Sequence, residues 1–216
     1  MIESIFFDLD GTLVDSAPGV QRAVRMAWEA VRPDGPCPEV RPMMGPPIRE
    51  IFHRALPQAD GTVLSALQEH FRTAYDSVGW LETAVYLGVR EALTALKAAG
   101  VRCLGATNKP ALPTQRILEH CGLGIFFEAF FSPDSCTPAF SSKTEAAQTL
   151  IAQHGINRQS ALFMGDTIED LLVARACGLR FMAFRGGYGW AGLSSQPADF
   201  LICHRFEELP SLVVGG

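Results

Sequence analysis

Short apolar runs alternate with amphipathic stretches over most of the chain. The first run, Ile5-Phe6-Phe7, is β-branched and aromatic, which is typical of a buried strand. Similar runs, each short enough for a strand, span 101–106, 126–131, 161–164, 179–184 and 200–203. Helical spacing of apolar residues predicts helices over 89–99, around 117–118, and over 144–154, 168–177 and 206–212. Because strands and helices alternate, we predict a parallel sheet with helices on both faces.

Residues 15 to about 80 break this alternation, because their apolar positions fit helices only. One helix is predicted to start at Asp15 or Ser16, either of which can cap it, and to end near Arg32. Two more helices are predicted over 48–56 and 60–79. This stretch is far longer than a crossover between parallel strands requires.

The sequence therefore predicts an α/β protein in two parts. Residues 1–14 and 83–216 are predicted to form a core with a doubly wound, mostly parallel sheet, and residues 15–82 an inserted all-helical cap. In sheets of this kind the active site lies at the carboxyl ends of the strands. Polar residues that follow the strands should meet there. The glycine-rich stretch 185–192, which follows the strand predicted at 179–184, is interpreted as a loop near this edge.

Two acids follow the first strand directly. Asp8 and Asp10 are separated by one residue, so on a strand both side chains would point to one face. Two carboxylates on one face repel each other unless a cation or a proton lies between them. Gly11 then allows a sharp turn of the backbone. A simple hairpin turn at Asp10 and Gly11 is the alternative interpretation of this stretch on its own.

Thr107 and Asn108 follow the strand predicted at 101–106 and precede a helix. A helix N-terminus is suited to binding an anion such as phosphate, although a plain helix cap is the alternative for Thr107.

Asp166 follows the strand predicted at 161–164, and Asp170 lies four residues later. The two acids share one face if the helix begins at Thr167. A favourable interaction with the helix dipole is the alternative for Asp170. Glu169 is interpreted as a solvated charge.

Composition and charge narrow the range of possible partners and cellular locations. The 216 residues are 48% hydrophobic, which is enough for one substantial core, with or without a small second domain. The net charge is -5 and no cluster of Lys and Arg is present, so a nucleic-acid partner is not expected. The six cysteines form no C-x-x-C pair, which favours free thiols in a reducing compartment. We recognise no signal peptide and no apolar run of the roughly 18 residues that a membrane span needs, and expect a soluble, cytoplasmic protein without a membrane partner.

Taken together, four stretches resemble the motifs of the haloacid dehalogenase-like hydrolases. In chain order they are Asp8-Leu9-Asp10-Gly11-Thr12, Thr107-Asn108-Lys109, Lys143, and Gly165-Asp166-Thr167-Ile168-Glu169-Asp170. The order is that of the family, and the resemblance covers essentially the whole chain. It implies a Rossmann-like core with a helical cap. The turns Gly45-Pro46-Pro47 and Gly187-Tyr188-Gly189 resemble the phosphoglycolate phosphatase-like branch of the family.

The resemblance implies a phosphoric monoester hydrolase that depends on Mg²⁺. Asp8 is expected to be the nucleophile that forms an aspartyl-phosphate, and Asp10 the general acid and base. The Mg²⁺ ligands would be Asp8, the backbone carbonyl of Asp10, and Asp166, in line with the preference of Mg²⁺ for oxygen. Lys143 is expected to pair with Asp8 and the phosphate, and Asp170 to orient Lys143. From its local sequence alone, Lys143 is a surface lysine at the start of a helix.

The resemblance also implies that Thr107, Asn108 and Gly11 bind the phosphate. Arg49, beside the Gly-Pro-Pro turn, is a candidate for binding a carboxylate or phosphate of the substrate, and a solvated helix arginine is the alternative. The expected partner is a small phosphorylated metabolite, either phosphoglycolate-like or a nucleotide 5'-phosphate. A monomer or a homodimer is expected.

Three other activities stay open from the sequence. A dehalogenase of the same superfamily needs no second acid, so Asp10 argues against it. A phosphosugar mutase shares every core motif and differs in its cap. A phospho-aspartate switch, which signals without turnover, would need neither Asp10 as an acid nor a lid of this length.

Overall fold

The computed structural model describes residues 1–189 and 200–214. Its strands are β1 (Ser4–Phe7), β2 (Val14–Asp15), β3 (Ala84–Val85), β4 (Arg102–Ala106), β5 (Ala129–Phe131), β6 (Ala161–Gly165), β7 (Arg180–Phe184) and β8 (Leu201–Cys203). Six of them form one parallel sheet in the order β5-β4-β1-β6-β7-β8. The predicted doubly wound α/β sheet is confirmed.

Eight α-helices accompany the strands in the described residues. They are α1 (Ala17–Val31), α2 (Ile48–Ala55), α3 (Gly61–Ser77), α4 (Val89–Ala98), α5 (Ala111–His120), α6 (Lys143–Gln153), α7 (Ile168–Cys177) and α8 (Leu209–Val214). Short 3-10 turns lie at Arg41–Met43, Gly79–Glu82, Gly124–Phe126, Arg158–Ser160 and Phe206–Glu208. None of the described helices has both the length and the apolar character needed to cross a membrane.

Strand β1 lies in the middle of the sheet and is buried on both faces. On one face Phe6 stacks on Phe163, with ring centroids 6.4 Å apart, in a core completed by α6 and α7. On the other face Phe7 meets Phe127 edge to face at 5.9 Å, in a core completed by α4, α5 and α8. Because β1 is apolar on both sides, it stays central, and Asp8 emerges at the middle of the sheet edge.

Helices α1, α2 and α3 pack around an apolar cluster of their own. Val24, Phe52 and Leu67 are fully buried in it, and Trp28 nearly so. This cluster is separate from the two that cover the sheet, as an inserted helical cap requires. The division at residues 14/15 and 82/83 stays a prediction.

The short strands β2 and β3 pair in an antiparallel manner where the chain leaves and re-enters the core. Two residues each are too few to produce a strand pattern, and the sequence did not predict them. Asp15 belongs to β2, so the stretch predicted as helical from residue 15 begins with a strand residue. The first helix, α1, begins at Ala17. Ser16 is the N-cap residue of α1, but its side chain accepts no backbone N–H of the helix. Its hydroxyl donates to the Asp10 carboxylate instead. The Asp15 carboxylate accepts the backbone N–H of Ala17 at 3.1 Å.

Other differences are small. The strand predicted from residue 126 begins at Ala129, because Gly124–Phe126 forms a 3-10 turn. The last predicted helix starts as a 3-10 turn, Phe206–Glu208, before α8. Of the predicted glycine-rich loop over 185–192, residues 190–192 lie outside the described part. All six cysteines are free.

The stacked pair in the centre of the sheet generates a stability prediction. Phe163→Ala should lower the free energy of unfolding by about 3–5 kcal/mol, because it opens a cavity beneath β1 where no solvent enters. Leu172→Ala is the control, since that side chain on α7 is 56% exposed and should cost about 0.5 kcal/mol or less. Urea unfolding of both variants measures the difference. Equal losses would contradict this account of the core.

Candidate active site

A buried lysine joins two acids, one that follows a strand and one in the first turn of a helix. Lys143 is the first residue of α6, and its Nζ atom lies 2.5 Å from Asp8 Oδ1 and 2.6 Å from Asp170 Oδ1. Only 7% of the lysine is exposed, so the alternative of a surface lysine is wrong. Burial acts to lower the pKa of Lys143, but Asp170 and Asp8 together raise it above its ordinary value, and the side chain is charged.

The start of α7 fixes Asp170. Its Oδ2 atom accepts the backbone N–H groups of Asp166 and Thr167, at 3.1 and 2.9 Å, and the Thr167 hydroxyl at 2.7 Å. Thr167 in turn caps the helix by accepting the N–H of Asp170, which completes a reciprocal capping box. One oxygen of Asp170 therefore belongs to the helix end, and the other is directed to Lys143.

Asp166 follows β6 and is completely buried. Its Oδ1 accepts the Thr12 hydroxyl at 3.1 Å, and its Oδ2 accepts the backbone N–H of Tyr188 at 2.6 Å. Gly11 and Gly187 press against it so closely that a Cβ on either would lie within 2.4 Å of the carboxylate. Gly11 also has a φ of +85°, so only glycine suits this position without strain. The described part of the glycine-rich loop thus lies at the active edge, as expected.

The negative charge of the buried acids exceeds the positive charge that is buried with them. Carboxylate oxygens of Asp8, Asp166 and Asp170 lie within 4.8 Å of one another, and Lys143 is the one ammonium paired with them in the described part of the chain. Burial, partly offset by Lys143, raises the pKa of Asp8 to about 7. Burial and the neighbouring Asp170 raise the pKa of Asp166 well above its ordinary value. A hard divalent cation fits this donor set, because it supplies the missing positive charge and prefers oxygen ligands.

Asp10 is held from two sides. Its Oδ1 accepts the Ser16 hydroxyl and lies 3.2 Å from Lys109 Nζ. Lys109 Nζ also donates to the Tyr75 hydroxyl at 3.0 Å and lies 4.4 Å from the centroid of that ring. Burial acts to lower the pKa of Lys109, but Asp10 and Tyr75 raise it above its ordinary value. A cap residue on α3 is thus linked to Asp10 through one buried lysine.

A cavity of about 590 Å³ separates the cap from the sheet edge. The core contributes the predicted residues Asp8, Asp10, Thr107, Asn108 and Lys143 to its lining. The cap contributes, among others, Ile48, Gln68, Phe71, Arg72 and Tyr75. The structure therefore brings most of the residues predicted from four separate stretches to one enclosed space.

Thr107 and Asn108 lie where β4 ends. The Thr107 hydroxyl is buried and accepts the backbone N–H of Lys109 at 3.2 Å. The Asn108 amide donates to Glu169 Oε2 at 3.2 Å and to the carbonyl of Gly45 in the cap at 3.4 Å. The interpretation of Glu169 as a solvated charge is wrong, because it lines the cavity and burial raises its pKa.

Gly11 and Arg49 are not among the residues that line the cavity. The N–H of Gly11 is donated to the carbonyl of Val14 at 2.8 Å, so it is not available to a phosphate. The Arg49 guanidinium donates to Ser65 at 3.1 Å and to Gln68 at 3.5 Å, both on α3. We correct both assignments: Gly11 shapes the turn between Asp10 and Val14, and Arg49 connects α2 to α3.

Sequence reasoning missed several residues of the site. Lys109 carried a usable signal, because it follows Thr107 and Asn108 directly in a motif. Tyr75 and Arg72 carried none, since their apolar and polar neighbours on α3 fit any amphipathic helix. Tyr188 was noted only as part of a glycine-rich turn.

Comparison with known proteins agrees with this geometry. A family model described as haloacid dehalogenase-like hydrolase matches residues 2–178. The chain belongs to the haloacid dehalogenase-like hydrolases. A phosphoglycolate phosphatase from Cereibacter sphaeroides is 33% identical over 215 residues, covering 97% of this chain and 96% of its own. A 5'-nucleotidase from Pseudomonas aeruginosa is 28% identical over 187 residues, covering 86% and 84%.

A solved structure gives the same result for the fold. A haloacid dehalogenase-like family hydrolase from Streptococcus pneumoniae matches with a TM-score of 0.85 and 26% identity, covering 98% of both chains. Within the family the chain is phosphoglycolate phosphatase-like, and it is a phosphoric monoester hydrolase. The family and the enzyme class expected from the sequence are confirmed.

Lys143, which pairs with both Asp8 and Asp170, leads to a prediction about stability. Lys143→Met should lower the free energy of unfolding by roughly 3–5 kcal/mol, because it leaves buried carboxylates without their ammonium. Lys97→Met is the matched control, since Lys97 is exposed and, among the described residues, donates only to the carbonyl of Ile125. This change should cost about 1 kcal/mol or less. Urea unfolding in metal-free buffer measures both. A cost for Lys143→Met no larger than the control's would show that the carboxylates do not depend on this lysine.

Proposed function

We propose that this hydrolase cleaves a small phosphomonoester through an aspartyl-phosphate on Asp8, with Mg²⁺ as its cofactor. One observation carries the proposal: Asp8 lies in the cavity, is buried, and is hydrogen-bonded to the ammonium of Lys143. A carboxylate in this position can attack phosphorus, and Lys143 can bind the phosphate oxygens that gain charge. Asp170 then acts through Lys143 as the residue that orients it.

In the first step, a carboxylate oxygen of Asp8 forms a bond to phosphorus and the bond from phosphorus to the leaving oxygen breaks. Asp10, in its protonated form, gives its proton to that oxygen, so the leaving group departs as a neutral alcohol. Ser16 and Lys109 hold the Asp10 carboxylate toward the cavity.

In the second step, a water molecule attacks the phosphorus of the aspartyl-phosphate. Asp10, now a carboxylate, takes a proton from the water, and the bond between phosphorus and Asp8 breaks. Inorganic phosphate leaves, and both acids return to their starting states. The same residue thus serves as acid and then as base, which requires that it keep one position throughout.

Thr107 and Asn108 are proposed to bind the remaining phosphate oxygens. Both line the cavity beside Asp8. The Asn108 amide would exchange its long hydrogen bond to Gly45 for one to the phosphate. Lys143 completes the set as the cation, so the phosphate meets one positive charge and two neutral donors.

Asp8, Asp166 and the backbone carbonyl of Asp10 are proposed to hold Mg²⁺. Asp170 is less suited as a ligand, because one of its oxygens is paired with the ammonium of Lys143 and the other accepts three hydrogen bonds at the start of α7. The bound ion would offset the negative charge that gathers on the transferring phosphoryl group.

The names of the relatives support a phosphoglycolate-like compound or a nucleotide 5'-phosphate as the substrate. A panel of phosphorylated metabolites with Mg²⁺, assayed for released phosphate, identifies it. Release of an isomerised sugar phosphate instead would indicate a mutase. No turnover of any phosphate ester, with a stable phosphorylated Asp8, would indicate a signalling switch. A cytoplasmic location, a monomer or homodimer, and the absence of nucleic acid and membrane from the partners remain predictions.

Replacing the nucleophile should separate activity from stability. Asp8→Asn should lower kcat by at least about 10³-fold, because the amide cannot form the aspartyl-phosphate. Its free energy of unfolding should not fall, since the change removes one of three crowded charges. Asp34→Asn, on an exposed loop, is the control and should change neither quantity. Phosphate release and urea unfolding measure both effects, and full turnover by Asp8→Asn would exclude the covalent route.

Removal of the metal gives a second prediction. EDTA should abolish phosphate release, and excess Mg²⁺ should restore it. Binding of Mg²⁺ to the folded state should also raise stability, by about 2.7 kcal/mol at a hundredfold excess over Kd. Asp166→Asn should lose this stabilisation, whereas Asp34→Asn should keep it. Thermal unfolding with and without Mg²⁺ is the measurement, and an equal gain in both variants would remove Asp166 from the proposed ligands.

A further inference from the structure

One face of α3 forms part of the cap wall of the cavity. Gln68, Phe71, Arg72 and Tyr75 line the cavity from this helix, at the three- and four-residue spacing that places side chains on one face. Two of these residues are aromatic and stack on each other, with ring centroids 5.4 Å apart. The other two carry hydrogen-bond donors, and those donors have no catalytic role in the scheme above.

Arg72 differs from the two lysines of the cavity. Lys143 is paired with Asp8 and Asp170, and Lys109 with Asp10. Arg72 is exposed, and within residues 1–189 and 200–214 it makes neither a hydrogen bond nor an ion pair. Its positive charge is therefore available to a ligand in the cavity.

Acidic neighbours do not satisfy Arg72. Asp76, one turn later on α3, also lines the cavity, but no ion pair within 4.0 Å joins the two in the described structure. Glu169 accepts the Asn108 amide, and Asp134 accepts the backbone N–H of Ala111 at 2.7 Å. Within the described residues, none of these three acids forms an ion pair with the Arg72 guanidinium.

Gln68 supplies a second donor on the same face. Its side-chain oxygen accepts the Arg49 guanidinium at 3.5 Å, and no described acceptor takes its amide N–H₂ group. Arg49 thus engages the oxygen of Gln68, which leaves the amide hydrogens for a ligand. A guanidinium and an amide one helical turn apart are suited to binding a planar carboxylate.

We propose that Arg72 and Gln68 form a cap-side subsite for a carboxylate carried by the leaving group of the substrate. This rests on the proposed phosphatase function, since it requires the phosphate to lie at the sheet edge against Asp8 and Lys143. The substrate class is then a phosphomonoester of a hydroxy acid. A phosphate end and a carboxylate end would be held by opposite walls of the cavity, and the cap would select for the second.

Matched substrates test the subsite. The pair 2-phosphoglycolate and ethyl phosphate differs by the carboxylate, and so does the longer pair 3-phosphoglycerate and glycerol 3-phosphate. Arg72→Ala should lower kcat/KM by about 10- to 100-fold for a carboxylate-bearing ester that the wild type hydrolyses. For the ester of the same pair that lacks the carboxylate, the same variant should change kcat/KM by less than about threefold. Arg72→Lys should recover only part of the loss, because an ammonium lacks the forked donors.

Arg25→Ala is the control variant, since Arg25 is an exposed cap arginine on α1 that does not line the cavity. It should leave all four substrates unaffected. Gln68→Leu should lower kcat/KM for the carboxylate-bearing esters alone, by a smaller factor than Arg72→Ala. Thermal unfolding of each variant checks that the cap stays folded.

The outcomes separate the two proposals. Equal losses on both members of a pair, or no loss on the carboxylate-bearing ester, would overturn the subsite. The subsite would also be overturned if the wild type hydrolysed the esters without a carboxylate but neither of the carboxylate-bearing esters. In that case the phosphatase function would stand. A wild type that hydrolyses no phosphate ester in the presence of Mg²⁺ would overturn the proposed function and the subsite with it.

Discussion

The constraint on which the site depends is the burial of three carboxylates around one ammonium. Asp8, Asp166 and Asp170 come from two strand ends and a helix start, and they repel one another because they are crowded and largely buried. Lys143 offsets part of that repulsion, and hydrogen bonds from Thr12, Thr167 and the backbone hold the rest in place. The remaining excess of negative charge is the reason that we propose a divalent cation at this site.

The fold was largely predictable because its signals are local. Apolar runs such as Ile5-Phe6-Phe7 mark the buried strands, and Asp8, Thr107 and Asp166 follow three of them at the edge where parallel strands end. The pairing of Lys143 with Asp8 was predictable only from the resemblance to a family, since the two residues are 135 positions apart. No spacing rule connects residues at that separation.

Two of the errors concerned side-chain direction, which sequence spacing does not determine, and the third concerned the backbone of Gly11. Arg49 and Arg72 both lie on cap helices, yet one points to α3 and the other lines the cavity. Glu169 was expected in solvent, but the start of α7 turns it toward Asn108. Gly11 was expected to bind phosphate, whereas its left-handed backbone and its contact with Asp166 explain its presence.

The contact between Tyr75 and Lys109 connects the cap to the surroundings of Asp10. Tyr75 belongs to the cap, whereas Lys109 and Asp10 both belong to the core, so the hydrogen bond from Lys109 to Tyr75 is the one of its two contacts that crosses between the two parts. The hydrogen bond to the Tyr75 hydroxyl and the contact with its ring are therefore the part of this arrangement that depends on the cap being seated on the core. The ammonium beside Asp10 is thus placed in part by the same helix whose other side chains line the cavity.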